Sequence, residues 1–368
     1  MNRRRTFALV VTGLVGLSLL SSACSSGSSA SGGSGDGSPN FQGVPLSGAG
    51  ATFPDPVYEQ WIHDFQGIES GAKINYNAIG SGGGVDALTK QTVDFGASDA
   101  PLQDSQMSQM PGEVIEVPTV IGGIAIVYNL PGVKELKLDG KTAADIFLKK
   151  VTTWNDPAIA QQNPGLNLPS SPIQVVHRSD DSGSTFVFTS WLSDESPIWK
   201  KQIGANTTVQ WPAGESGKDG SDGVAAAVQQ AEGSIGYVSF DYAVSSNLGA
   251  ASIRSDSGEY IVPSVQSIGA AGGILKLPIS QTTNILNSSA PGAYPISTTT
   301  YLLIYTDQTD RDKGQTLVDF VHYGLTQGQA VATKLNYAPL PTGIDSQALE
   351  LLSQVSYKGK QITPSTGA

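Results

Sequence analysis

Two hydrophobic periods alternate along the chain. Lys73-Ile74-Asn75-Tyr76-Asn77-Ala78-Ile79 switches between polar and apolar residues, which predicts a half-buried strand. Residues 121–128 form an unbroken apolar run rich in Ile and Val, the pattern of a strand buried on both faces. Shorter runs at 173–176, 235–238 and 301–305 predict further strands. Between them, Tyr58, Trp61, Ile62 and Phe65 recur at helical spacing, as do Leu317, Phe320, Val321 and Gly324. Helices are also expected over 85–88, 186–192 and 224–230. Strand and helix patches that interleave in this way predict an α/β fold. No internal repeat of fixed period is present.

Three turns rich in Gly or Ser each precede a helical patch. The first is Gly48-Ala49-Gly50-Ala51-Thr52-Phe53-Pro54, where Pro54 and Pro56 suit the start of a helix. The second is Gly80-Ser81-Gly82-Gly83-Gly84, and the third is Ser179-Asp180-Asp181-Ser182-Gly183-Ser184-Thr185. A helix N-terminus offers unpaired N–H groups and a partial positive charge. Glycine lets those groups approach a ligand, and Ser and Thr add hydroxyl donors. Three such ends converging would bind an anion without a net positive surface. A fourth glycine-rich stretch, 214–223, is read as structural, with Ser221 or Asp222 capping the helix that follows. Phe53 stands where a dinucleotide fingerprint needs its third Gly, and no G-x-x-x-x-G-K-[ST] loop occurs.

The N-terminus has the pattern of an export signal. Arg3, Arg4 and Arg5 precede an apolar run over 7–20, shorter than the roughly 20 residues a membrane span needs. Small residues then lead to Cys24. The segment resembles a bacterial lipoprotein signal, with cleavage after residue 23 and lipid, palmitate included, on Cys24. Ser21 departs from that pattern, which has an aliphatic residue there. An ordinary signal peptide, or a twin-arginine signal built on Arg4-Arg5-Thr6-Phe7, is the alternative. Residues 25–40 are almost all Ser, Gly and Ala, a coil spanning about 22 Å on average. The expected layout is therefore a signal at 1–23, a tether at 24–42 and a globular body tethered near a membrane from the outside.

Composition narrows the chemistry. The chain has 368 residues, of which 39% are hydrophobic, enough to build real cores. A single Cys excludes a disulfide framework and any Cys-rich metal site. His63, His177 and His322 lack the H-x-x-x-H spacing of a metal helix. A net charge of −11 argues against a surface that coats nucleic acid. It leaves a local anion site possible, because such a site is set by its own groups.

The turns also carry a resemblance. Gly48-Ala-Gly-Ala-Thr-Phe-Pro-Asp-Pro-Val-Tyr58 resembles the opening motif of the phosphate-binding proteins of ABC phosphate importers (PstS-type). The likeness continues at Ile79-Gly-Ser-Gly-Gly-Gly84, Val93-Asp-Phe-Gly-Ala-Ser-Asp-Ala-Pro101, Pro118-Thr-Val-Ile-Gly-Gly123 and His177-Arg-Ser-Asp-Asp-Ser-Gly-Ser184. Trp211-Pro212, Ile235-Gly-Tyr-Val238, Pro295-Ile-Ser-Thr-Thr-Thr300 and Leu335-Asn-Tyr-Ala338 follow in family order.

The resemblance implies the two-lobed periplasmic-binding-protein fold of the second class. Lobe one would be 43–120 with 294–368, and lobe two 121–293, with phosphate in the cleft between them. It implies donors from Thr52 and the Phe53 N–H, from the Ser81 hydroxyl, and from Ser182, Gly183 and Ser184. Arg178 would be the one charged donor, with Asp180 beside it. Asp99 would accept a proton from the bound anion. Phosphate at neutral pH carries such a proton and sulfate does not, so Asp99 would discriminate between them. Two positions depart from the family pattern: Ser184 stands in a Thr place, and Asp181 in a Gly place, where it is expected to point outward.

The function implied is capture of phosphate outside the cell membrane and delivery to the permease and ATPase subunits of an importer, by a monomer without cofactor, metal or catalysis. A hydrolase is the competing class, and Ser182 with His177 is the Ser–His pair it would use. Two further readings fit the same residues: a binding protein for another tetrahedral oxyanion, and a surface lipoprotein that senses phosphate.

Overall fold

The computed structural model describes residues 44–277 and 285–365. The expected signal, Cys24 and the tether lie outside the described residues. One continuous path of strands organises the rest. We label β1 (Pro45–Gly50), α1 (Asp55–Ile68), β2 (Lys73–Ala78), α2 (Ser81–Thr89), β3 (Phe95–Ser98) and β4 (Val114–Tyr128). There follow β5 (Gln174–Arg178), α3 (Gly183–Glu195), β6 (Ser216–Lys218), α4 (Gly220–Gln230), β7 (Ser234–Ser239), α5 (Phe240–Ser245), β8 (Ser297–Tyr305) and α6 (Arg311–Leu325).

The strand order is β2-β1-β3-β8-β4-β7-β5-β6. β2, β1 and β3 are parallel neighbours, β8 runs antiparallel to both β3 and β4, and β5 is parallel to both β7 and β6. β4 belongs to both halves of this path. Its residues from Val114 to Gly123 pair with β8, and those from Ile124 to Tyr128 pair antiparallel with β7. The 15-residue strand is buried almost throughout, as its apolar run predicts. We call β2, β1, β3, β8 and the start of β4 the first half, and the remainder the second.

The core explains why the predicted helices form where they do. Tyr58, Trp61, Ile62 and Phe65 form the buried stripe of α1. Trp61 donates its indole N–H to the Gly328 carbonyl at 2.8 Å, and its ring fills the space beside Gly324 of α6, where a side chain would clash. In the second half, Phe188 and Tyr237 stack at 4.4 Å between ring centroids, and Phe147 packs edge-on against Phe188 at 4.8 Å.

Two expectations are corrected. Gly48, Ala49 and Gly50 do not form a turn but the second half of β1. This strand is central and its neighbours press on it. A side chain at Gly48 would collide with the Phe95 ring, and one at Gly50 with the Ala97 backbone. Gly50 also adopts φ +152°. The strand therefore requires glycines, and that composition reads as a turn in sequence. Likewise the second glycine run is not a loop before a helix; Ser81 to Gly84 form the first turn of α2. Gly84 brings α2 onto β1, where a Cβ would lie 2.5 Å from the Gly50 Cα.

Candidate anion-binding site

The C-terminal ends of β1, β2, β3 and β5 deliver their loops to one place, the usual location of ligands in an open α/β sheet. After β1 the chain turns through Ala51–Pro54. The Ala51 carbonyl accepts the Tyr76 hydroxyl at 2.7 Å, and the Phe53 carbonyl accepts the Tyr337 hydroxyl at 2.7 Å. The Ala51 bond fixes the peptide plane that carries the Thr52 N–H, and the Phe53 bond holds the turn where it enters α1 at Pro54. The Phe53 ring is itself fully buried, edge-on to Tyr337. Thr52 is buried beside it.

α2 begins at Ser81, whose hydroxyl accepts the Asp99 N–H at 3.1 Å. α3 begins at Gly183, with Ser182 as its cap; the Ser182 hydroxyl accepts the Thr185 N–H at 3.1 Å. Gly183 sits directly against Asp99, where a Cβ would come within 2.7 Å of the Asp99 Cβ. Only glycine brings the two loops this close. Ser184 donates its hydroxyl to Asp99 Oδ2 at 3.4 Å. Among the described residues, the N–H groups of Phe53, Ser81, Gly183 and Ser184 have no protein acceptor.

Two charged elements stand among these donors. Arg178, at the end of β5, is 3% exposed and pairs bidentately with Asp180 through Nε and Nη2. Tyr237 anchors this strand end: its hydroxyl accepts the Arg178 N–H at 3.2 Å and bonds Thr185 Oγ1 at 2.6 Å. Asp99 is 2% exposed, and among the described residues no cation is paired with it. Burial pushes its carboxyl up to about 7; the Thr300 hydrogen bond, the Arg178 charge and the Ser184 hydrogen bond oppose that rise. The site thus carries little net charge, and its attraction for an anion rests on aimed dipoles. At the same place it holds a strong acceptor in Asp99, suited to a ligand that brings a proton.

Every candidate residue within the described chain lies in this cluster: Thr52, Phe53, Ser81, Asp99, Arg178, Asp180, Ser182, Gly183 and Ser184. Asp181 is exposed. Two further residues join them that are not among the expected ligands. The sequence predicts Ser221 or Asp222 as a cap, but the cap position of α4 is Asp219, and Ser221 and Asp222 both lie in the first turn. Its hydroxyl bonds Thr52 Oγ1 at 3.1 Å and accepts Arg178 Nη1 at 3.4 Å. Thr300 donates its hydroxyl to Asp99 Oδ1 at 2.9 Å. The β8–β4 register shifts between Thr300 and Tyr301, a bulge of the kind that re-aims side chains near sites.

The Ser182–His177 pair that a hydrolase would use is not assembled. The His177 ring stacks on Trp211 at 4.7 Å and its Nδ1 bonds the Arg178 carbonyl at 2.8 Å, while Ser182 serves as cap. Among the described residues, no group of three His, Cys, Asp or Glu is placed to hold a metal ion.

Similarity to known proteins points the same way. The PBP superfamily domain matches residues 24–322. The phosphate-binding protein PstS of Xylella fastidiosa (strain 9a5c) is 41% identical over 308 residues, covering 83% of this chain and 84% of its own. That of Haemophilus influenzae is 40% identical over 314 residues, covering 84% of this chain and 92% of its own. Phosphate-binding protein PstS 2 of Mycobacterium tuberculosis is 32% identical over 356 residues, with coverages of 92% and 95%. Among solved structures, a phosphate binding protein from Stenotrophomonas maltophilia superposes with a TM-score of 0.64 at 18% identity, over 83% of this chain and 93% of that one. PfluDING, a high affinity periplasmic phosphate-binding protein bound with phosphate, superposes with a TM-score of 0.69 at 22% identity, over 83% and 92%. These two share the fold.

Proposed function

The chain belongs to the PstS family of phosphate-binding proteins, and on that premise we propose that the buried cluster around Asp99 and Arg178 is its phosphate site. Its fold is the two-lobed α/β fold of the periplasmic binding proteins. It binds inorganic phosphate outside the cytoplasm and hands it to an ABC phosphate importer. Its role is recognition, not catalysis.

The finer assignments are our reading. Phe53, Ser81, Gly183 and Ser184 offer backbone N–H groups, and Thr52, Ser81, Ser182 and Ser184 offer hydroxyls. Arg178 is the charged donor and Asp180 holds its guanidinium in place. Asp99 takes the proton of the bound anion. The observation that carries this assignment is a carboxylate with no counter-ion, buried among donors that an anion would use. A fully deprotonated anion would set acceptor against acceptor there. We further place lobe one at 43–120 with 294–368 and lobe two at 121–293; the change of β4's partner between Gly123 and Ile124 lies close to the first boundary. Attachment of lipid at Cys24, tethering through 24–42 and a monomeric body complete the reading. Among the described residues, no helix is long and apolar enough to cross a membrane.

The test is calorimetric titration of protein that has been unfolded, stripped of ligand and refolded. Tight one-to-one binding of phosphate at pH near 8, with no heat from sulfate, is the expected result. A folded, ligand-free sample that is silent toward phosphate would overturn the assignment.

A further inference from the structure

Asp181 follows the Arg178–Asp180 pair on the loop between β5 and α3, in the second half of the molecule. Its carbonyl accepts the Gly82 N–H at 3.0 Å, across the site, from the first turn of α2. Its carboxylate lies over Gly82 so closely that a methyl group on Gly82 would overlap it. Gly80, at φ +87°, completes the seat: a Cβ there would stand 2.7 Å from the Asp181 carbonyl oxygen and 2.8 Å from Asp180 Oδ2. Backbone bare of side chains at residues 80 and 82 thus receives the 180–181 peptide. Among the described ion pairs none includes Asp181, so its countercharge is the positive N-terminal end of α2.

We propose that Asp181 is a latch: its carboxylate, seated on the first turn of α2, holds the two halves of the site closed and sets the rate at which bound phosphate leaves. The proposal rests on the phosphate reading above. The contact joins the first half to the second, so it breaks when they separate. Phosphate enters before the contact forms, so the latch acts on release rather than on entry. A carboxylate at a helix N-terminus is a modest interaction, so the effect is on the order of a few-fold. Being exposed, it is also sensitive to salt.

The experiment compares stopped-flow phosphate release from wild type, Asp181→Asn, Asp181→Gly and Gly82→Ala. Release is expected to quicken about threefold in Asp181→Asn and about fivefold in Asp181→Gly, with entry unchanged. The gap between wild type and Asp181→Asn should shrink in about 1 M NaCl. Gly82→Ala, which dislodges the carboxylate, should quicken release in wild type but add nothing to Asp181→Gly. Release from Asp181→Gly at the wild-type rate or slower would overturn the latch. Hydrogen exchange across residues 80–84 gives a reading without phosphate. Faster exchange in both Asp181 variants supports the latch, and unchanged exchange overturns it even if wild type binds phosphate. A wild type that ignores phosphate refutes the earlier assignment and leaves the exchange result to judge the latch.

Discussion

The two halves of the site handle charge in opposite ways. The second half presents a buried cation, Arg178, and neutralises it at once with Asp180 two residues on. The first half presents a buried carboxylate, Asp99, and gives it no cation, only the Thr300 and Ser184 hydroxyls and its own burial. The Arg178 half is therefore an ion pair, and in the Asp99 half burial pushes the lone carboxyl up to about 7. The lesson is a division of labour: one half attracts and orients an anion, and the other asks whether that anion carries a proton. Between them stand N–H groups and hydroxyls from four helix starts, which bind without adding charge.

The sharpest way to break the comparison is to remove the cation. Arg178→Ala leaves Asp180 without its partner and the anion without its charged donor. Truncating one partner of a buried, hydrogen-bonded charge pair in a binding site costs about 2–5 kcal/mol, so phosphate affinity should fall roughly 30- to 5,000-fold, as titration would show. Asp99→Asn attacks the other half. Its amide supplies a donor where the carboxylate accepted, so phosphate should weaken by about tenfold while sulfate binding appears. A variant as selective as wild type would remove Asp99 from the account.

Thr300→Val tests whether the Thr300 hydroxyl matters to Asp99. It deletes the hydroxyl that opposes burial, so the Asp99 carboxyl should rise further, and phosphate affinity should fall a few-fold, most near pH 7 and least at high pH, where Asp99 is ionised in both proteins. Ser221→Ala should have the smallest effect, about twofold or threefold on affinity, because Ser221 touches the site through Thr52 and one long bond from Arg178.

Stability without phosphate should follow the same titrations. Asp99 and Asp241 are buried carboxyls pushed up to about 7, Glu116 to about 7 and Glu215 to about 8, each chiefly by burial. The folded state then holds protons that the unfolded chain releases near pH 4. That stabilisation is complete below about pH 4 and is lost as pH rises through the folded values near 7 to 8. The phosphate-free protein should therefore melt at a higher temperature at pH 5.5 than at pH 8.5. Thermal unfolding at the two values checks the sign, and Asp99→Asn should flatten part of the slope.

Much of this was legible in sequence, and the parts that were not share a cause. The stripe Tyr58, Trp61, Ile62 and Phe65 and the run ending at Tyr128 announce their elements because periodicity reports burial directly. Thr52, Ser81, Asp99, Arg178 and Ser182 are visible as local motifs at the ends of strands. Gly48 to Gly50 mislead, because the need for glycine comes from Phe95 and Ala97 on a neighbouring strand. Ser221 and Thr300 are hidden for a related reason. Ser221 acts across 169 residues, on Thr52. Thr300 reaches Asp99 across 201 residues, because β8 pairs antiparallel with β3. Local pattern encodes elements and their capped ends; it does not encode which ends meet.

The most direct measurement of the central claim is sulfate affinity as a function of pH in the stripped protein. Protonated Asp99 can donate to sulfate and ionised Asp99 repels it. Sulfate binding is therefore predicted to be absent at about pH 8.5 and to strengthen as pH falls through about 7, while in Asp99→Asn it is present throughout and flat. Sulfate binding in wild type that does not change between those limits would contradict the account, since Asp99 would then not be reading the proton.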